Sequence, residues 1–320
     1  MSDLNKTQRS LTFYGEGSKL FGITIINAIL TVVTVGFYYP WAKVAKLHYL
    51  YSEFEFEGSR FEFHGKGKEV FKGFLKLIAF IVIFYGVLIG LPLITQNVAV
   101  IIISVLAVYT LMIFIIPLAL HGSARYRLSR TSWRGIHFGY RGDRKELVTL
   151  FVKGFLLTLV TFGIYASWLS ISLRKYIIGN IRFGNITFSY KGDGGEFLWL
   201  NFTNYFLSII TLGIYFPWYM KNLTNYYIEN ITLHQDGKKI KLKSSITGGG
   251  YFVLFLGNAL IVLFTLGFGT AWATIRTLRY FASNVTVVGD LDTESIQQTE
   301  EDYKNATGDD LADFFEIDLI

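Results

Sequence analysis

The stretch TLGIYFPW, residues 211–218, has close relatives elsewhere in the same chain: TVGFYYPW at 34–41, TFGIYASW at 161–168 and TLGFGTAW at 265–272. A weaker one, LMIFIIPL, occupies 111–118. Counted from their first residues, the intervals are 77, 50, 50 and 54, the long one being a 50-residue period with 27 residues inserted. Further columns then align. Fifteen residues after each start stands a tyrosine: Tyr49, Tyr126, Tyr176, Tyr226 and Tyr280. One position earlier stand His48, Arg125, Lys175, Asn225 and Arg279, and Asn180, Asn230 and Asn284 follow four residues after their tyrosines. A Phe-x-x-x-Gly element recurs at Phe13/Gly17, Phe63/Gly67, Phe138/Gly142 and Phe188/Gly192. Self-similarity at such a period is the signature of tandem supersecondary units.

Each column has a physical reading. Gly36, Gly163, Gly213 and Gly267 can end a helix, because glycine takes the left-handed C′ conformation without steric cost. Pro40 and Pro217 suit the first turn of the next helix, where no N–H is needed. Tyr and Trp concentrate at membrane–water interfaces. An amphipathic basic helix of about four turns follows, ended by Asn at C′. The alternating segments 181–192 and 231–244, the latter with an Asp236-Gly237 turn signal, read as β-hairpins. The expected fold is a polytopic α-helical membrane protein of five tandem repeats. Each has an apolar helix, an aromatic Gly/Pro corner, an amphipathic basic helix and a short β-hairpin.

Composition agrees. Apolar residues make up 52% and charged residues 17% of the 320, against about 45–50% and 25% in soluble globular proteins. Apolar runs at Phe74–Leu91 and Val98–Leu120, and weaker ones at Leu20–Tyr39, Leu147–Ala166, Phe197–Phe216 and Tyr251–Thr270, approach the roughly 20 residues that a crossing needs. The opening MSDLNKTQRS lacks the features of a secretory leader. The domain reading is a polar segment at 1–10, a repeat-built membrane domain of about six segments at 11–289, and a mostly disordered acidic tail at 290–320. That tail holds eleven acidic residues and one basic residue, Lys304. It reads as a solvated tail; the alternative is that its last ten residues, with Leu311, Phe314 and Phe315 at helical spacing, form a short acidic amphipathic helix that docks on a partner or on the basic face.

The turn at 92–97 has no Lys or Arg while its flanks are rich in them, so it is expected to face outward and the first two hairpins the cytoplasm. Beyond this, six simple crossings compete with corners that reverse the chain as re-entrant helical pairs, which need surrounding protein or a cavity.

The pattern T-x-G-I-Y-x-P-W, a basic helix with Arg-Tyr or Lys-Tyr, then N-h-x-h and F-x-F-x-G, resembles the YjgN-like family of bacterial inner-membrane proteins. The resemblance covers 11–289. It departs from the pattern at Ser167 and Ala271, where proline is expected, and in the second unit. It implies a multi-pass protein of the bacterial inner membrane and brings no established activity, hence no catalytic residues.

Seven residues before each unit start lie Asn27, Ser104, Gly154, Asn204 and Asn258. Asparagine in an apolar run faces protein or water. Asn27, Asn204 and Asn258 therefore read either as a polar path or as interhelical packing. The column of Tyr49, Arg125, Tyr126, Lys175, Tyr176, Tyr226, Arg279 and Tyr280 reads either as a contact with anionic lipid headgroups or as ordinary topological charge bias. The five histidines have no metal-ligand spacing and no catalytic motif is present, so neither an enzyme, a cofactor, a metal nor a nucleic-acid partner is expected. Two functions remain open. One is a transporter or channel for a small solute or lipid; the other is a scaffold or regulator that binds a partner through its hairpins and acidic tail. No run carries a central Asp or Glu, which weighs against ion-coupled transport.

Overall fold

The structure is a computed structural model that describes residues 8–95 and 97–299. The stretch at 211–218 does make a corner. Helix ends there because Thr211 is the C-cap, Leu212 is left-handed at φ 48°, and Gly213 follows at φ 90°. The Gly213 N–H reaches back to the Ser208 carbonyl at 2.7 Å, satisfying a carbonyl the helix leaves orphaned. Gly36, Gly163 and Gly267 repeat that bond, to Thr31, Thr158 and Val262. The C′ residue is thus not the glycine, as the sequence suggested, but the bulky residue before it: Val35, Phe162, Leu212 or Leu266. Thr34, Thr161, Thr211 and Thr265 then accept, on their hydroxyls, the backbone N–H four residues on, which starts the next helix. Pro40 and Pro217 lie in the first turn of that helix, as expected.

The described chain opens with strands β1 (Gln8–Ser10) and β2 (Thr12–Phe13), then α1 (Gly17–Val33) and α2 (Tyr39–Ser52). Strands β3 (Phe54–Phe56) and β4 (Ser59–Phe63) lead to α3 (Gly67–Tyr85), a π-helical stretch Gly86–Gly90, α4 (Leu91–Thr95) and α5 (Val98–Ser129). Next come β5 (Thr131–Trp133), β6 (Ile136–Tyr140), α6 (Arg144–Val160) and α7 (Ala166–Gly179). Then follow β7 (Ile181–Phe183), β8 (Ile186–Tyr190), α8 (Gly194–Ile210), α9 (Phe216–Glu229), β9 (Ile231–Gln235) and β10 (Lys238–Ser244). The last elements are α10 (Gly248–Phe264), α11 (Thr270–Asn284) and β11 (Val285–Val288).

The short hairpins expected from the sequence do not stand alone. All eleven strands form one sheet in the order β1-β11-β10-β9-β8-β7-β6-β5-β4-β3-β2. The two ends of that order are one segment, 8–13: Ser10 pairs with Thr286 of the last strand, and Thr12 pairs with Glu55 of the third. The sheet therefore closes on itself and leaves no edge. Its core is filled by Phe56, Trp133, Phe183, Ile186, Leu233, Ile240 and Val287. Helices follow the same circuit, neighbour against neighbour, with α11 packed on α1.

Tryptophan from each corner locks the next pair. Trp41, Trp168 and Trp218 lie on Gly67, Gly194 and Gly248, the first residues of the following helices, and Trp272 lies on Gly17 at the start of the chain. A β-carbon at any of these glycines would overlap the indole. By contrast, Gly15, Gly65, Gly142 and Gly192 lie over the aromatic ring two residues before, Phe13, Phe63, Tyr140 and Tyr190. The Phe-x-x-x-Gly spacing seen in the sequence thus mixed two inequivalent glycines.

Three further expectations are corrected. The segment 111–118 makes no corner, because α5 runs straight through it with Pro117 inside; with no glycine to accept a positive φ, the helix has nowhere to reverse. Asn180 and Asn230 cap at negative φ rather than as left-handed C′ residues, and with Asn284 they hand Nδ2 to the carbonyl of the tyrosine four residues earlier. The tail is not disordered from its start. Residues 290–299 strap the turn end of the sheet, with Leu291 and Ile296 buried in its core. Gln235 exchanges both amide groups with Asp292, the backbone N–H of His137 donates to the Gln298 Oε1, and Arg134 pairs with Glu294 at 3.0 Å. The expected docking helix at 311–320, and residue 96 in the turn expected to face outward, lie outside the described residues.

Two helical stretches are long and apolar enough to cross a membrane, Gly67–Thr95 and Val98–Ser129; α1 and α10 are apolar but shorter. Both ends of every described helical pair return to the one sheet, so six simple crossings with strand pairs on alternate faces are excluded.

Candidate functional site

The second helices α2, α5, α7 and α11 turn one face toward the centre of the ring, above the sheet. On α5 the lining residues recur at i, i+3, i+4, i+7 and i+8, one stripe of that helix. Leu50 and Tyr51 from α2, Leu120, Ser123, Ala124, Arg127 and Leu128 from α5, Ile177 and Leu278 enclose a cavity of about 490 Å³. Leu11, Phe54, Phe61 and Phe138 from the strands form its floor. Beneath that floor Trp133 and Phe183 close the sheet interior, and the 290–299 strap covers the far end. The cavity is a blind chamber of the size and apolar character of small-molecule sites.

A second cavity, of about 530 Å³, adjoins it and shares Leu50 and Arg127. It runs along the α1–α2 pair past Ile23, Asn27, Thr31 and Val32 to Tyr39, and Lys43 and Lys46 line it. Neither lining contains a carboxylate. Superimposed on the repeat register, Lys43 stands where the other units have Leu120, Ser170, Met220 and Thr274. Lys46 corresponds to Ser123, Leu173, Leu223 and Thr277; Arg127 corresponds to Leu50, Ile177, Tyr227 and Phe281. The cations are exceptions to their columns. A search for what recurs passes over them, and comparing columns for what does not recur would have found them.

The asparagine column is not gathered into one space. Asn204 accepts from Asn222 Nδ2 at 2.7 Å and from the Tyr215 hydroxyl at 3.3 Å, both on the partner side of its own pair. Asn258 donates to Thr277 at 2.9 Å on α11. Asn27 donates to the Ile23 carbonyl of its own helix, and of the three it alone lines either cavity. Gly154 and buried Ser104 continue the column, Gly154 packing on Leu169 of α7. Asn204→Leu should lower the melting temperature of the detergent-solubilised protein by an amount corresponding to about 0.6–2 kcal/mol. Unchanged stability would remove the packing role.

The tyrosine column has a shared geometric task. Tyr49, Tyr176 and Tyr226 accept the backbone N–H of Glu16, Asp143 and Asp193, each 33 residues earlier, at 2.6–2.8 Å. These are the N-cap residues of α1, α6 and α8. Tyr280 bonds Thr247, the cap of α10, and buried Tyr126 puts its hydroxyl beside Gly65 before α3. The hydroxyls thus supply acceptors for orphaned helix-start donors. The preceding column straps units together: His48 to the Gly65 carbonyl, Asn225 to Ile246 and Arg279 to Gly15. Arg125 is half-buried and Lys175 exposed.

Electrostatics on the sheet side follow from local contacts. The backbone N–H groups of Glu196 and Gly195 hold the Asp193 carboxyl below its usual range. Burial lowers the pKa of His137, which faces His64 at a ring separation of 4.9 Å.

Above the closed sheet, two helical stretches are long and apolar enough to cross a bilayer, as in an integral membrane protein. The chain belongs to the family described as bacterial proteins of unknown function, DUF898, whose model matches residues 8–197, 185–237 and 218–314. It is similar to the inner membrane protein YjgN of Escherichia coli K12, with 29% identity over 163 residues, 51% of this chain and 38% of that one. The YjgN of Salmonella typhimurium LT2 is 26% identical over 176 residues, 51% of this chain and 42% of its own. The chain thus spans about two-fifths of the length of these relatives. Their location supports an inner-membrane setting here. No solved structure matches the chain.

Proposed function

We propose that this is a multi-pass inner-membrane protein of five tandem units whose helical pairs enter the bilayer from the sheet side, and that it binds a lipid in its central chamber. The observation that carries this reading is the blind chamber itself, apolar on its walls and closed at the sheet. An aqueous conduit along the ring axis would have to pass Trp133, Phe183 and the strap, which favours lipid handling over solute conduction. The corner tips support membrane insertion. Val35, Phe162, Leu212 and Leu266 are 86–98% exposed, and each such side chain left in water would forgo about 1.5–3 kcal/mol of transfer energy. A 17-residue helix reaches about 25 Å, most of the roughly 30 Å hydrocarbon core.

The reading assigns no catalysis. The scaffold alternative draws on the exposed rim of the sheet and on the acidic residues beyond 299, but the first ten residues of the tail are already engaged within the chain.

Filling the chamber tests the proposal. Leu278→Trp enlarges a side chain that lines the chamber and also packs on the Phe13–Ile275 cluster, so it should cost the purified protein no more than about 1–3 kcal/mol of stability, and the variant should stay folded. The lipid that copurifies, read by mass spectrometry of the intact complex, should be lost. A folded variant carrying the same lipid would overturn the chamber as the site.

A further inference from the structure

Three cations and one polar amide line the second cavity, and one of the cations, Arg127, lines the apolar chamber as well. Half-buried Lys43 and exposed Lys46 are on α2, half-buried Arg127 is in the last turn of α5, and Asn27 lines the same cavity from α1. In the proposed membrane setting a cation inside the bilayer is costly, and an intramembrane ionisable residue marks a ligand or ion path by default. Their sign is uniform, and no Asp or Glu lines either cavity. The equivalent positions in the other units are apolar or small, so packing of the repeat does not require these charges. What the arrangement complements is an anion that carries an apolar body.

We infer that the two cavities form one site for an anionic phospholipid. Its phosphate lies at Lys43, Lys46 and Arg127, and acyl chain fills the chamber between Leu50, Phe61, Leu120 and Leu278. The inference rests on the lipid-binding reading above and adds the headgroup chemistry to it. The planar guanidinium of Arg127 matches two phosphate oxygens at once, whereas each lysine supplies a compact charge. Asn27 adds a neutral donor or acceptor on the opposite wall. Entry is lateral, along the α1–α2 pair, where Ile26, Ile29 and Val32 are exposed to the surrounding medium. No passage through the sheet is needed. The ligand is a component of the membrane in which the protein sits rather than a solute taken from either aqueous side.

The test uses the full chain in lipid nanodiscs, with phosphatidylglycerol against phosphatidylcholine in equal amounts, and mass spectrometry of lipid retained after transfer to detergent. The wild type should retain phosphatidylglycerol preferentially. Each of Lys43→Gln, Lys46→Gln and Arg127→Gln should reduce that preference about fivefold, and the triple variant about a hundredfold, given the attraction of one cation for an anionic lipid. Lys145→Gln, an exposed cation on α6 away from both cavities, should leave it unchanged and so separates the site from general surface attraction. Arg127→Lys should restore most of the preference, which a merely structural arginine would not predict. Should the triple variant fail to fold, the three single variants carry the comparison.

Equal retention of both lipids, or a loss with Lys145→Gln as large as with Arg127→Gln, would overturn the headgroup site while the chamber reading survived. Retention of no lipid of either kind would overturn the chamber reading itself. Palmitate, added as a separate probe, distinguishes the anion's source: a fatty acid that displaces phosphatidylglycerol at equal concentration would replace the phospholipid as occupant and overturn the assignment of phosphate.

Discussion

Trp133→Ala should lower the stability of the detergent-solubilised protein by about 3–5 kcal/mol, the range for deleting a large buried aromatic side chain. Trp133 is 2% exposed at the centre of the closed sheet. Its ring meets Phe56, Phe61 and Phe183, and its indole N–H donates to the carbonyls of Phe56 and Ser59 at 3.2 and 3.0 Å. Alanine would leave a cavity that a ring of paired strands cannot collapse around, because their spacing is fixed by the hydrogen-bond ladder. It would also leave two carbonyls of the β3–β4 turn without that donor. Trp133→Phe should recover most of the packing and none of the hydrogen bonding, so its cost should fall between the two. Thermal or urea unfolding followed by circular dichroism measures both. A loss below about 1 kcal/mol for alanine would mean that the sheet core is not where the fold is held together.

Removing residues 8–13 should have a still larger effect. That segment fills the gap between β11 and β3, buries Phe13, and pairs Arg9 with Glu57 at 3.5 Å. Without it two strand edges are exposed, and an open edge is a template for pairing with another chain. The stacked units would also lose the α11 to α1 closure, and in repeat assemblies stability comes from such neighbour interfaces. The expected outcome is loss of the monomer peak on size exclusion and rapid proteolysis near residues 285–299. A monodisperse deletion variant with the parent melting temperature would show that the circuit is closed by the helices alone.

Much of each unit was legible because the determinants are local. A Thr-x-Gly step with Pro beyond it, Asp-Gly between alternating residues, and Asn after a basic helix each act within a few residues. Even there the sequence misplaced a detail: the left-handed residue is Leu212, not Gly213, because the cap uses two successive positive angles and only the second requires glycine. Closure was not legible. Nothing in SLTF at 10–13 announces that one short strand serves two neighbours nearly the whole chain apart. The corner expected at 111–118 failed for a local reason that a spacing argument overrode, the absence of glycine. The strap was hidden by its composition, since an acidic segment reads as solvated although Leu291 and Ile296 are enough to seat it.

The candidate site shows the opposite bias. Recurrence drew attention to the Asn and Tyr columns, and the structure places most of those side chains on caps and between helices. Repetition selects what every unit needs, which is packing. Lys43, Lys46 and Arg127 lie at positions that only three dimensions relate, on two helices of different pairs.

The return of every helical pair to one closed sheet has a consequence for how the protein enters a membrane. In a chain of independent crossings each loop follows its own flanking charge, and a single loop can be mis-threaded while its neighbours insert correctly. Here the strand pairs cannot be on different sides. In the proposed multi-pass arrangement orientation is one binary decision, taken once for the whole molecule, to which the basic residues distributed around the ring contribute together. The helical stretches that can carry it are Gly67–Thr95 and Val98–Ser129, long and apolar enough to span, with a turn between them that contains no Lys or Arg. Insertion in the proposed arrangement is therefore all-or-none: an error would yield a completely inverted ring, never a partly inverted one.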